Sequence, residues 1–178
     1  NKNLIDLEKN DDKNGFFQIY LSKYCTAYFG SSSGSSAPCV AFKKPVSYIN
    51  FIPSSINIST FFRTLPSIPK RVKNISSGSY LTLKEICEEK LMGLSAYQSI
   101  KKKGLIHESN TSEDIKDLAL EIVECLEHKE NYDKESIELQ NKYISIFSKY
   151  NKNQNIGLMP PMKIGKSFLK KHSEWLKE

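Results

Sequence analysis

Apolar positions recur along this chain with helical and strand periods, and the alternation between the two sketches its elements. Phe17, Tyr20, Leu21 and Tyr24 fall at i, i+3, i+4 and i+7 and predict a helix, after which Cys25 to Phe29 reads as a buried strand. Ahead of them, Asn3-Leu4-Ile5-Asp6 reads as the end of a short strand and Glu8 to Gly15 as a polar turn. Ser36 to Phe42 predicts a short helix stopped by Lys43-Lys44-Pro45, and Val46 to Phe51 is the clearest strand. Residues 52–80, with Pro53, Pro66, Pro69, many serines and the cluster Lys70-Arg71-Val72-Lys73, show no sustained period. They read as a long irregular excursion that either lines a site or decorates the surface.

The second half is more regular. Leu81 to Leu91 predicts a helix with Thr82 as N-cap and Glu85 three residues on, the pattern of a capping box. Thr111 and Asp114 repeat it ahead of the stripe Ile115, Leu118, Ala119, Ile122, Val123 and Leu126, and Gly104-Leu105-Ile106-His107 reads as a short strand just upstream. Residues 133–150 predict a helix with Ile137, Ile144 and Phe147 on one side, 151–161 a loop, and Lys163 to Lys177 a basic terminal helix. Strands alternating with helices at this spacing imply parallel pairing through crossovers. The expected fold class is therefore α/β, a Rossmann-like doubly wound parallel sheet with additional C-terminal helices.

That architecture assigns a place to the break "YFGSSSGSSAPC". A flexible linker joins polar neighbours, but here Tyr28-Phe29 closes one apolar run and Ala37-Pro38-Cys39-Val40-Ala41-Phe42 opens another. In a doubly wound sheet such a turn lies beyond the carboxyl end of a strand and leads to a helix start, where unpaired N–H groups and the macrodipole favour phosphate. Gly30 and Gly34 would allow tight or left-handed backbone, and Ser31, Ser32, Ser33, Ser35 and Ser36 add hydroxyl donors. The segment is neither GxGxxG nor a P-loop. The alternative is a Ser-capped turn with nothing bound.

Charge and cysteine usage narrow the partners. Lys and Arg total 26 against 20 Asp and Glu over 178 residues, a balance of +6 that favours anionic ligands without choosing among nucleotides, nucleic acids and lipid head groups. Cys25, Cys39, Cys87 and Cys125 form no CxxC pair and no His stands at ligand spacing, so the expectation is buried thiols, an intracellular chain and no metal site. No apolar stretch approaches the roughly 20 residues of a membrane span. The chain starts at Asn1 and is expected to be part of a longer polypeptide.

The run "YCTAYFGSSSGSSAPCVAFKKPVSYINFIP" resembles a loop-and-strand motif of the C-terminal domain of GT-B glycosyltransferases, where a strand ends in Gly-(Ser/Thr)-x-Ser-Gly before a helix and Lys-Pro-Val. More narrowly, the chain is similar to the C-terminal part of a glycosyltransferase family encoded among bacterial surface-polysaccharide genes. Ile68-Pro69-Lys70, Leu81-Thr82-Leu83-Lys84-Glu85-Ile86 and Ile164-Gly165-Lys166-Ser167-Phe168-Leu169 extend the match, in order, over most of the chain. The resemblance implies the donor-binding half of a two-domain enzyme that uses a nucleotide-sugar co-substrate and no metal or other cofactor. Residues 1–130 would form a Rossmann-like nucleotide-sugar-binding unit and 131–178 a helical extension packed on it. Gly30, Ser31, Ser32, Ser33, Gly34 and Ser35 would hold the donor diphosphate, and a missing N-terminal domain would bind most of the acceptor. In related heptose-transferring enzymes an Asp commonly precedes the Ser-Gly and a His follows; here Ser32 and Ala37 or Pro38 stand near those places.

Further candidates each have a plain alternative. Asn50 and Pro53 leave the strand from Val46 where nucleoside or sugar contacts would form, or make an ordinary strand-end turn. Lys70 and Arg71 would neutralise a leaving diphosphate or be solvated surface charge. Glu85 would accept from ribose hydroxyls or serve as a capping residue. Lys101-Lys102-Lys103 and Lys163, Lys166, Lys170 and Lys171 would touch anionic lipid at the inner face of the membrane, or be solvated. No residue here is assigned as catalytic base. The expected setting is cytoplasmic. A non-catalytic nucleotide- or carbohydrate-binding module and a basic nucleic-acid-binding domain are the competing functions. The latter lacks interleaved aromatic and basic positions and any helix-turn-helix signature, so no nucleic-acid partner is expected.

Overall fold

The computed structural model describes residues 15–52, 65–91, 96–150 and 162–178; the expected strand at Asn3–Asp6, Pro53 and the loop 151–161 lie outside them. After helix α1 (Phe16–Tyr24), strand β1 (Tyr28–Ser31) leads through a 3-10 turn (Gly34–Ser36) into helix α2 (Ala37–Ala41) and strand β2 (Val46–Ile49). The two strands are parallel, in register from Tyr28↔Val46 to Ser31↔Ile49. Residues 65–70 continue the array on the far side of β2: Leu65 N–H donates to Val46 O (2.9 Å), Ile68 N–H to Tyr48 O (2.9 Å) and Lys70 N–H to Phe51 O (2.8 Å). A parallel bridge Ser67↔Ile164 adds a fourth segment.

Pro66 and Pro69 have no N–H to give to a ladder, so these outer segments cannot form regular strands. Two buried serines stand in. Ser47 Oγ donates to Pro66 O (2.5 Å), and Ser67 Oγ accepts from Tyr48 N–H (2.9 Å).

Strand β3 (Arg71–Asn74) and strand β4 (Leu105–Glu108) form a second, antiparallel sheet with Arg71↔Glu108 and Asn74↔Leu105 at its ends. The fold is thus mixed α/β. The described residues make two small sheets, and not one continuous doubly wound sheet, because the chain reverses twice near β3. Asn74 Oδ1 accepts from Ser76 and Ser77 N–H, folding the chain back so that Tyr80 bridges Lys73. Gly104, at φ +66°, then turns the chain into β4. Part of the expected excursion is therefore a strand: Val72 is fully buried between the partly exposed Arg71 and Lys73.

Helices α3 (Leu83–Glu88), α4 (Ala96–Lys102), α5 (Ser112–Leu126), α6 (Lys134–Tyr150) and α7 (Lys166–Lys171) complete the order, with a closing 3-10 turn at Ser173–Leu176. α6 packs on α3 and α7, and α7 also on α5. Trp175 stacks on Tyr143 at 5.9 Å and meets Phe168 edge-on, so the C-terminal segment belongs to the same apolar core as Val46, Ile68 and Leu83.

Four expectations shift. The strand predicted at Cys25–Phe29 starts at Tyr28, because Cys25 caps α1 with its N–H on Leu21 O (2.7 Å), and Phe29 faces outward. On α6 the buried side is Tyr143, Ile146 and Phe147 with Ile137 exposed, since Trp175 selects the face. On α5, Val123 is exposed while Asp114 and Glu121 are buried. The predicted terminal helix is broken: Ile164 and Gly165 join the parallel array, and His172 at φ −120°, ψ 38° ends α7.

Candidate functional site

The serine loop leaves the carboxyl end of β1, where Ser31 lies beside Ile49 of β2. Neither Gly30 nor Gly34 has a positive φ. Gly30 is needed for another reason: a Cβ there would stand 2.8 Å from Tyr28 Oη, two residues back on the same strand face. Tyr28 Oη donates to Ser31 O (2.9 Å) and shares a hydrogen bond with Ser35 Oγ (3.0 Å), and Ser35 Oγ pairs with Ser33 Oγ (2.7 Å). Ser36 closes the turn, its N–H and Oγ both donating to Ser33 O (3.0 and 2.8 Å).

The loop is thus shaped by hydroxyls and by the Tyr28 ring. The main-chain amides of Ser33, Gly34 and Ser35 meet no acceptor among the described residues. A Cβ on Gly34 would meet nothing within 4 Å, so that side of the turn is open.

Beside the loop lies an open cleft of about 290 Å³ between α1, β1 and the turn into α2, lined by Leu21, Ser22, Cys25, Tyr28, Ser35 and Cys39 among others. Ser22 Oγ donates to Gln18 O within its helix (2.8 Å). Burial, then the neighbouring Cys39, pushes the Cys25 thiol up from its ordinary pKa.

The same edge of the parallel array carries Asn50 and Lys70. Asn50 has φ +53° and is locked by Asn110: each amide N–H donates to the other's Oδ1 at 2.7 Å, and Asn110 Nδ2 donates to Pro69 O (2.7 Å). Burial, then the charge of Lys70, pushes the His107 imidazole down in pKa, and neither ring nitrogen has a partner among the described residues.

Gly30 to Ser35, Asn50 and Lys70 are therefore gathered on one edge, whereas Arg71 and Glu85 are engaged elsewhere. Arg71 Nη2 donates to Glu108 (3.3 Å), Nη1 approaches His172 Nδ1 (3.1 Å), and the guanidinium lies 3.8 Å over the Tyr80 ring. Tyr80 Oη also donates to Glu108 (2.5 Å), which holds that carboxyl below its ordinary pKa, with Lys73 and Arg71 adding to the effect. Glu85 closes the capping box, accepting Thr82 N–H at 2.7 Å.

The terminal lysines are paired: Lys166 with Glu124 (2.7 Å), Lys170 with Asp133 (2.5 Å), and Lys171 with Glu113 and Asp114 (2.7 and 3.0 Å). Lys163 lies 3.6 Å over the Tyr132 ring. No group of three or more His, Cys, Asp or Glu is placed to hold a metal among the described residues, and no described helix is long and apolar enough to cross a membrane.

Tyr28, Asn110 and His107 are residues that sequence reasoning passed over. Only Tyr28 left a usable trace, as a large ring two positions before a strand glycine. Comparison with family models, with curated proteins and with solved structures yields no match to this chain.

Proposed function

We propose that this chain is the donor-binding part of a glycosyltransferase, a Rossmann-like half that receives a nucleotide-activated sugar for transfer to a surface-glycan or related acceptor. The observation that carries it is the serine loop: a run of unengaged main-chain amides at the carboxyl end of a parallel strand, ringed by hydroxyls and beside an open cleft. Such a turn suits a leaving nucleoside diphosphate, whose charge oriented N–H groups would stabilise as the glycosidic bond breaks. Lys70, two segments further along the same edge, supplies a cation without a metal. The locked Asn50–Asn110 pair gives that edge a rigid floor, which suits a site that must hold geometry through a reaction.

Calorimetric titration with UDP, GDP, ADP and CMP, with and without their sugars, tests the proposal: one nucleotide should bind saturably, and the absence of binding by all four overturns it. Gly34→Leu sharpens the test. Open space surrounds that position and its φ is not positive, so the fold should be retained while affinity drops at least about tenfold through loss of approach to the amides. Unchanged affinity moves the ligand elsewhere.

A further inference from the structure

Helix α1 reverses the usual order of faces. Its one buried residue is the polar Ser22, which with Leu21 lines the cleft. Outward it shows Phe16, Ile19, Tyr20 and Tyr24, exposed by 70, 46, 47 and 62 %. At about 3.6 residues per turn these four positions, with the exposed Lys23 among them, fall on one stripe that turns away from Ser22. The side chains are ordered against one another: the ring centroids of Phe16 and Tyr20 lie 6.4 Å apart, those of Tyr20 and Tyr24 4.7 Å, and Lys23 Nζ stands 5.5 Å from the Tyr24 ring. A helix whose outer face is apolar is one that another surface covers.

Charge decides what that surface is. From Gly15 to Ile52 the charged residues are Lys23, Lys43 and Lys44, with no Asp or Glu among them. A second copy seated on α1 across a two-fold axis would bring Lys23 toward its counterpart with no carboxylate from this stretch to meet either. An anionic bilayer supplies the missing charge, and its interfacial layer accepts rings whose hydroxyls sit at head-group level. The lysines of α7 are less suited to that task, since Lys166, Lys170 and Lys171 already pair with carboxylates. We propose that the outer face of α1 docks on an anionic lipid bilayer: Phe16, Ile19, Tyr20 and Tyr24 enter the interfacial layer, and Lys23 meets lipid phosphate. This surface stands independently of what the serine loop binds.

The test is sedimentation of the intact native chain with vesicles of phosphatidylcholine, alone or with an equal share of phosphatidylglycerol. The chain should pellet with the phosphatidylglycerol vesicles and stay in solution with phosphatidylcholine alone, and added salt should weaken binding by screening. Phe16→Ser combined with Tyr24→Ser should lower affinity at least about tenfold, because two rings no longer leave water for lipid. Lys101→Gln combined with Lys102→Gln, on α4, should bind much as the wild type does. In the unaltered chain, anionic vesicles should suppress iodination of Tyr20 and Tyr24, mapped by peptide analysis, a reading that needs no variant. The proposal is overturned by absence of binding, by equal binding to both vesicle types, by tyrosines labelled equally with and without lipid, or by affinity unchanged in the α1 variant. It is overturned equally by a loss as large in the α4 variant, or by a dimer in solution that the α1 variant abolishes.

Discussion

At the scale of single residues, burial decides which polar groups matter, and it does so against the sequence pattern. Glu121 lies on the buried side of α5, where its carboxylate accepts from Tyr132 Oη (2.9 Å) and from Lys166 N–H (2.8 Å), the first amide of α7. Gly165 is pressed against it: an added Cβ would meet Ile68 and Leu118 at 3.2 Å and Glu121 at 3.4 Å. Gly165→Ala should therefore cost about 1–3 kcal/mol by overpacking. Glu121→Ala, by stranding two part-buried donors, should cost about 1–3 kcal/mol, both read from urea denaturation midpoints.

His172 gives a pH dependence. It is 6 % exposed, with Arg71, Glu174, Lys171 and Asp114 around it, and burial, then Arg71, lowers its pKa from the ordinary 6.5. The folded imidazole holds its proton less tightly than the unfolded one. Its contribution is thus present above about 6.5 and lost as pH falls through the folded value. His107 acts in the same sense. Stability measured between pH 7.5 and 5.5 should fall, and His172→Gln should flatten the slope; an unchanged slope would remove His172 from the account.

Elements were legible where their signals are local. Both capping boxes form as their spacing implies, Thr82 with Glu85 and Thr111 with Asp114, because a cap needs only residues within one turn. Thr82→Ala and Thr111→Ala should each cost about 1 kcal/mol in chemical denaturation. What stayed hidden at this scale was β3, since one buried Val72 among cations has no period to detect. Its pairing comes from Glu108, 37 positions after Arg71, which bonds Arg71 and Lys73 across the sheet. The buried face of α6 was hidden likewise, because it is chosen by Trp175 on a distant turn.

For the whole molecule, the edge that carries the serine loop is tied to the helical layer by Asn110, whose side chain and amide hold Asn50 and Pro69 at once. Asn110→Ala strands these groups and should cost about 2–3 kcal/mol while weakening nucleotide binding through displacement of Asn50; stability lost with affinity unchanged would detach that pair from the site. The turn at the serine run, the two caps, the helix at α1 and the strand at Val46 were determined by sequence alone, because each depends on neighbours within a few residues, although the face predicted for α1 leaves Tyr20 and Tyr24 exposed. Tertiary structure alone decided that β3 and β4 pair antiparallel, that Ile164 leaves its expected helix for the parallel array, and that Arg71 is bound up with Glu108 and His172. Those outcomes are set by contacts between distant segments competing for one core, and a local pattern carries no record of which segment fills it.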